Sequence, residues 1–151
     1  MTEWDDVVRI PRTGQRWQAA SPPLGDVLLV AYPAVPDSVA VARHELERWL
    51  ARAELTPELV EAARLAASEA LSNVVRHAYT DRPGTGTMQL AALVEQGVLC
   101  VIVSDHGNGF RAHGDSGGLG LGLSLIAKLA DSIDLISPED GGFELQMRFN
   151  V

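Results

Sequence analysis

Glu69, Asn73 and His77 stand four apart in the stretch "EALSNVVRHAY". Each step of four rotates a helical position by only about 40°, so the three side chains share one stripe. Beside a nearly all-apolar face, that stripe could do chemistry. The amide oxygen of Asn73 suits a hard cation such as Mg²⁺, and Glu69, one turn earlier, is placed to accept a proton near that ion. The same stripe is also what the solvated edge of an amphipathic helix carries, and taken alone the pattern favours that simpler account.

Asp105 closes the apolar run "VLCVIVS" and is followed by Gly107 and Gly109. A carboxylate at a strand end can accept a hydrogen bond from an exocyclic amine such as adenine N6, and glycines beside it let a flat base come close. An Asx turn ending the strand accounts for the same residues. Gly118, Gly120 and Gly122, in "GGLGLGLSLIAKLAD", stand directly before a helix, where unencumbered N–H groups and the helix N-terminus can cradle phosphate oxygens. A Rossmann turn would need these glycines right after a strand. More than ten residues separate them from the strand ending near Ser104, and Asp134 comes too soon to serve a ribose, so that fold is set aside. Lys128, the sole lysine, lies in neither a P-loop nor a "VAIK" context. His44, His77, Cys100, His106 and His113 form no pair with zinc-ligand spacing.

These residues need elements to position them. "LGDVLLVAY" (24–32) reads as a first strand and 35–53 as a helix capped by Asp37 or Ser38. Thr56 and Pro57 open the longest helix, whose positions Val60, Ala63, Ala67, Ala70, Val74 and Ala78 keep one apolar face. Gln96-Gly97 joins two apolar runs as a hairpin turn. A helix over 123–131, a strand "SIDLIS", a turn "PEDGG" and a last strand follow. In that last strand Phe143, Leu145, Met147 and Phe149 point inward while Glu144, Gln146 and Arg148 point outward. The sum is an α/β two-layer sandwich over residues 24–151, a mixed, mostly antiparallel sheet with its helices on one face. Residues 1–23, with prolines at 11, 22 and 23 and no periodicity, read as an extended or flexible arm.

A chain of 151 residues makes one domain. It has no apolar run near the roughly 18 residues of a membrane span and no apolar leader, so no membrane partner and a cytoplasmic location are expected. A net charge of −8 without a basic cluster argues against direct nucleic-acid binding. Cys100, inside "GVLCVIV", reads as a small buried hydrophobe.

In chain order, a helix with Glu and Asn four apart, a strand running into Asp-x-Gly-x-Gly, and Gly-x-Gly-x-Gly entering a helix resemble the N, G1 and G2 boxes of the GHKL ATPase superfamily. The wording "SVAVARHELERWL", "LAASEALSNVVRHAY", "VSDHGNGF" and "GGLGLGLSLIAKLADSIDL" is similar to the RsbW/SpoIIAB type of anti-sigma-factor serine kinase, over roughly residues 27 to 151. The resemblance implies a Bergerat, or histidine-kinase-like ATPase, fold with ATP held between the long helix and a lid. It implies Glu69 as the general base toward a serine hydroxyl and Asn73 as the Mg²⁺ ligand. It further implies Asp105 as the reader of adenine with Gly107 and Gly109 beside it, and Gly118, Gly120 and Gly122 as glycines that contact phosphate. His77 is implied to pack or support, and Arg43 lies on a helix such proteins use at interfaces. The implied partners are a sigma factor, a STAS-domain anti-sigma-factor antagonist that is phosphorylated, and a second copy in a homodimer. Two features depart from the family: the short lid "RAHGDS", and Phe143 where relatives often carry a threonine. They keep open a nucleotide-dependent binding module without phosphotransfer. A detached ATPase domain of a sensor histidine kinase is a further alternative, although residues 1–23 supply no phosphoacceptor hairpin.

Overall fold

A computed structural model of the chain describes residues 10–11, 14–17, 26–79, 86–107, 117–137 and 141–151. Its elements are β1 (Leu28–Pro33), α1 (Pro36–Arg52), α2 (Pro57–Asn73) running on into a π-helical turn (Val74–Ala78), β2 (Thr87–Glu95), β3 (Val98–Asp105), α3 (Gly117–Leu129), β4 (Ser132–Ile136) and β5 (Phe143–Asn150). The strands form one sheet in the order β1-β2-β3-β5-β4. Every pairing is antiparallel, so the sheet is more uniform than the mixed one expected. The apolar run of β3 lies at its centre with both faces covered, which is why it shows no inside-outside alternation. Gln96 and Gly97, at φ 49 and 75, make the double left-handed turn that lets β2 and β3 follow one another in a tight hairpin.

All three helices lie on one face. α2 takes the middle, between α1 and α3 and over β3 and β5. Ala63, Ala66, Ala67 and Ala70 are buried along it, and these small side chains let it lie close against its neighbours. Leu46, Leu50, Leu71, Leu90, Val101, Met147 and Phe149 fill the space between helices and sheet. Thr56 caps α2 by accepting from the Leu59 amide at 3.2 Å, worth about 1 kcal/mol. Neither Asp37 nor Ser38 caps α1, contrary to expectation: the cap is Val35, whose side chain makes no capping bond. Pro36 explains the difference, because it carries no N–H and its ring presets the first helical turn.

Three further expectations are corrected. α3 begins at Gly117 rather than at 123, so the glycine box lies in the helix and not before it. Helical glycine costs up to about 1 kcal/mol each against alanine, and packing against α2 offsets that cost. The long helix also leaves α-geometry after Asn73 and widens into the π turn. Finally, Glu144 and Gln146, expected to face water, are 3% and 0% exposed. Ile10, Trp17 and Val27 lie over that second face of the sheet, against Ala91, Leu93, Cys100 and Ile102. Burial there pushes the Cys100 thiol up to about 12, in keeping with its reading as a buried hydrophobe. Among the described residues, no helix is long and apolar enough to cross a membrane.

Candidate functional site

The C-terminal half of α2 carries its polar pair where α3 crosses it. Asn73 is buried at 8% exposure, and its Oδ1 accepts no hydrogen bond among the described residues. An unmet amide oxygen in the interior costs about 1–3 kcal/mol, and Trp49 Nε1 is buried without a partner in the same way. Glu69 is half-buried, with Arg76 Nη1 at 4.0 Å from its Oε1. Gly122 of α3 faces this pair directly. A methyl group built there would stand 2.8 Å from both Glu69 Oε1 and Asn73 Nδ2 and 3.3 Å from Asn73 Oδ1. The glycine therefore preserves the space between a carboxylate, an amide and the opening turns of a helix. His77 lies in the π turn, half-buried, and the wider turn takes it off the straight stripe expected of ideal α-helix.

Asp105 ends β3 and is 5% exposed. Its Oδ1 accepts from the Gly107 amide at 2.8 Å, so the Asx turn is realised and fixes the direction of the carboxylate. A side chain at Gly107 would overlap the Ala78 carbonyl at the end of the π turn, so its missing atoms accommodate the helix. Two residues unflagged in the sequence complete this corner. Gly142, at φ 88, would run any side chain into the Asp105 carbonyl, and its amide donates to Gly107 O at 3.2 Å. The Tyr79 hydroxyl donates to Thr87 O at 2.5 Å and accepts from the His106 amide at 2.9 Å, tying the helix end to β2 and to the residue after Asp105. Both act through contacts between segments far apart in the chain, which no local pattern records. Phe143 is the β5 partner of Asp105 in that register.

One helix thus organises two clusters: Glu69 and Asn73 against Gly122, and one turn later Ala78 against the segment after Asp105. Gly118 and Gly120 fall in the first turns of α3. Gly109 and the "RAHGDS" lid lie outside the described residues. Arg43 is on the solvent side of α1, 3.9 Å from Glu47.

Residues 32–149 match the family model of the histidine kinase-like ATPase domain. The chain belongs to that family. Within it, Serine-protein kinase RsbW proteins of two Staphylococcus aureus strains, bovine RF122 / ET3-1 and JH9, are 27% identical to this chain, the match spanning 72% of it and 77% of them. A solved structure of RsbU and RsbW domains from Mycobacterium tuberculosis superposes with a TM-score of 0.66 at 21% identity, over 88% of this chain and 33% of the other. The histidine kinase domain of a blue-light activated histidine kinase from Erythrobacter litoralis gives 0.50 at 26% identity, over 62% of this chain and 45% of the other. The chain spans about a third and under half of those two solved chains. The histidine kinase-like ATPase domain accounts for the five-stranded antiparallel sheet under three helices, and it implies ATP binding.

Proposed function

We propose that the chain is an ATP-dependent protein serine/threonine kinase of the anti-sigma-factor type. It binds a sigma factor in one state, and in the other it phosphorylates a STAS-domain antagonist. The observation that carries this reading is the buried, unmatched Asn73 Oδ1 beside Glu69, both facing the glycine of α3. A neutral amide oxygen is a hard donor, and Asn73 would hold a Mg²⁺ ion that neutralises charge on the phosphates of ATP. The N–H groups opening α3, near Gly118 and Gly120, lie at a positive helix end and contact phosphate oxygens. Asp105 accepts from the exocyclic amine of adenine, with Gly107 and Gly109 beside it. In the transfer step a serine hydroxyl oxygen of the substrate attacks the γ-phosphorus, ADP departs, and Glu69 takes the hydroxyl proton. The relatives named Serine-protein kinase RsbW support the transfer. The acidic chain, net −8, suits protein partners better than DNA, and a cytoplasmic homodimer completes the reading.

Arg76 near Glu69 favours a second reading, in which that carboxylate is structural and bound nucleotide only sets the shape of a protein-binding module. The pair is loose at 4.0 Å and Arg76 is 56% exposed, so it holds Glu69 weakly. Incubation with γ-labelled ATP and a STAS-domain antagonist separates the two. Label on serine excludes the pure binder. Glu69→Ala is expected to keep ATP affinity and lose roughly 10²–10⁴-fold in transfer. Undiminished transfer in that variant removes Glu69 from the role of base.

A further inference from the structure

β5 is patterned as a strand with one wet face, alternating Phe143, Leu145, Met147 and Phe149 with Glu144, Gln146 and Arg148. Yet that face is covered, by residues 10–11 and 14–17, and main-chain groups of the cover bond to it. Carboxylates on three strands accept backbone N–H groups: Glu95 Oε2 on β2 from Ile10 at 2.8 Å, Asp134 Oδ2 on β4 from Gly14 at 3.3 Å, and Glu144 Oε2 on β5 from Trp17 at 2.9 Å. In return, Gln146 Nε2 donates to Gln15 O at 2.7 Å and Arg148 Nη2 to Pro11 O at 2.9 Å. Ile10 and Trp17 pack on the apolar cluster beside this polar row.

A permanent cover has no need of such a row, because apolar side chains would close the face without the cost of desolvating charges. Glu144, Gln146, Arg148 and Asp134 have partners while the segment is docked, and they are equally at home in water when it is off. The segment itself is only partly sheltered: Ile10 and Trp17 are half-buried, and Gly14 and Gln15 are exposed. Of the bonds above, that of the Gly14 amide is exposed and the other four are half-buried, as in a unit that opens short of global unfolding.

The docked segment also reaches the site on the other face. Trp17 holds Glu144; the next residue, Phe143, pairs with Asp105; and Gly142 rests on the Asp105 carbonyl while bonding to Gly107. We propose that residues 10–11 and 14–17 form a reversible strap across the helix-free face of the sheet. Its docking stiffens the end of β3 and β5 that carries Asp105, and its release weakens nucleotide binding. The last step rests on the nucleotide reading above; the docking does not.

Hydrogen exchange on the full chain, with calorimetry of Mg·ATP binding, tests the strap in the natural protein and in the double variant Ile10→Ala, Trp17→Ala. In the natural protein, the amides of Ile10, Gly14 and Trp17 are expected to exchange about tenfold or more slowly than in a free peptide of the same sequence. The double variant is expected to exchange them at the free-peptide rate, to speed exchange at residues 104–107 and 142–144, and to raise the Kd for Mg·ATP about three- to tenfold with its far-UV circular dichroism unchanged. Recovery of slow exchange at residues 104–107 on adding a synthetic peptide of residues 10–17 would support the strap further. Free-peptide exchange of the segment in the natural protein overturns the proposal. So does a released segment that leaves exchange at residues 104–107 unchanged. A natural protein that binds no ATP refutes the nucleotide reading, and exchange at residues 104–107 then still decides the strap.

Discussion

Gly122 and Asn73 are altered with opposite geometry and the same expected loss. In Gly122→Ala the new methyl falls within 2.8 Å of both Glu69 Oε1 and Asn73 Nδ2, so the pair must move even though alanine is the better helix former. Helix content by circular dichroism should hold while ATP affinity falls by about tenfold or more, about 1.4 kcal/mol or above. Asn73→Ala removes the donor instead. Calorimetry should show a similar loss confined to Mg²⁺-dependent binding, and affinity equal to that of the natural protein would count against the ligand role of Asn73. The pair on α2 was legible in the sequence because four residues in a helix return to the same side. Gly142 and Tyr79 were not, because each is defined by a strand brought alongside from elsewhere in the chain.

Among the elements, α2 bears the Glu69 and Asn73 pair and its start is set by Thr56. Thr56→Ala should cost about 1 kcal/mol and lower the melting temperature by about 2–4 °C. Asp37→Ala, which leaves the Val35 cap of α1 in place, should shift it by less. Calorimetric scans of the two variants side by side check the contrast. Strands and hairpin were legible because alternation, apolar runs and the Gln96-Gly97 pair are local signals. The start of α3 and the π turn were not. The glycines enter a helix here with Gly122 packed on α2, and the widened turn ends against Gly107, a residue 29 positions after Ala78.

For the molecule as a whole, the second face of the sheet was the part furthest from view. Glu144, Gln146 and Arg148 alternate as outward residues do, and among the described residues a segment near the N-terminus, more than a hundred residues away, encloses them. Cys100, under the same cover, reports on the integrity of that face. Its thiol ionises near 9.0 by default and is pushed up to about 12 by burial in the fold. The unfolded chain therefore loses this proton first. The stability that Cys100 contributes is fully present below pH 9 and is lost as pH rises toward 12. Urea unfolding across that range should show a steeper decline for the natural protein than for Cys100→Ala, and parallel curves would contradict the assignment.

The proposed function puts ATP between the end of α2 and the start of α3, with its purine at Asp105. A crystal structure with a non-hydrolysable ATP analogue and Mg²⁺ checks this placement. The metal is expected on Asn73 Oδ1, phosphate oxygens at the N–H groups that open α3, and the adenine amine on the Asp105 carboxylate. Nucleotide density elsewhere on the domain, or a metal without Asn73 among its ligands, would contradict it.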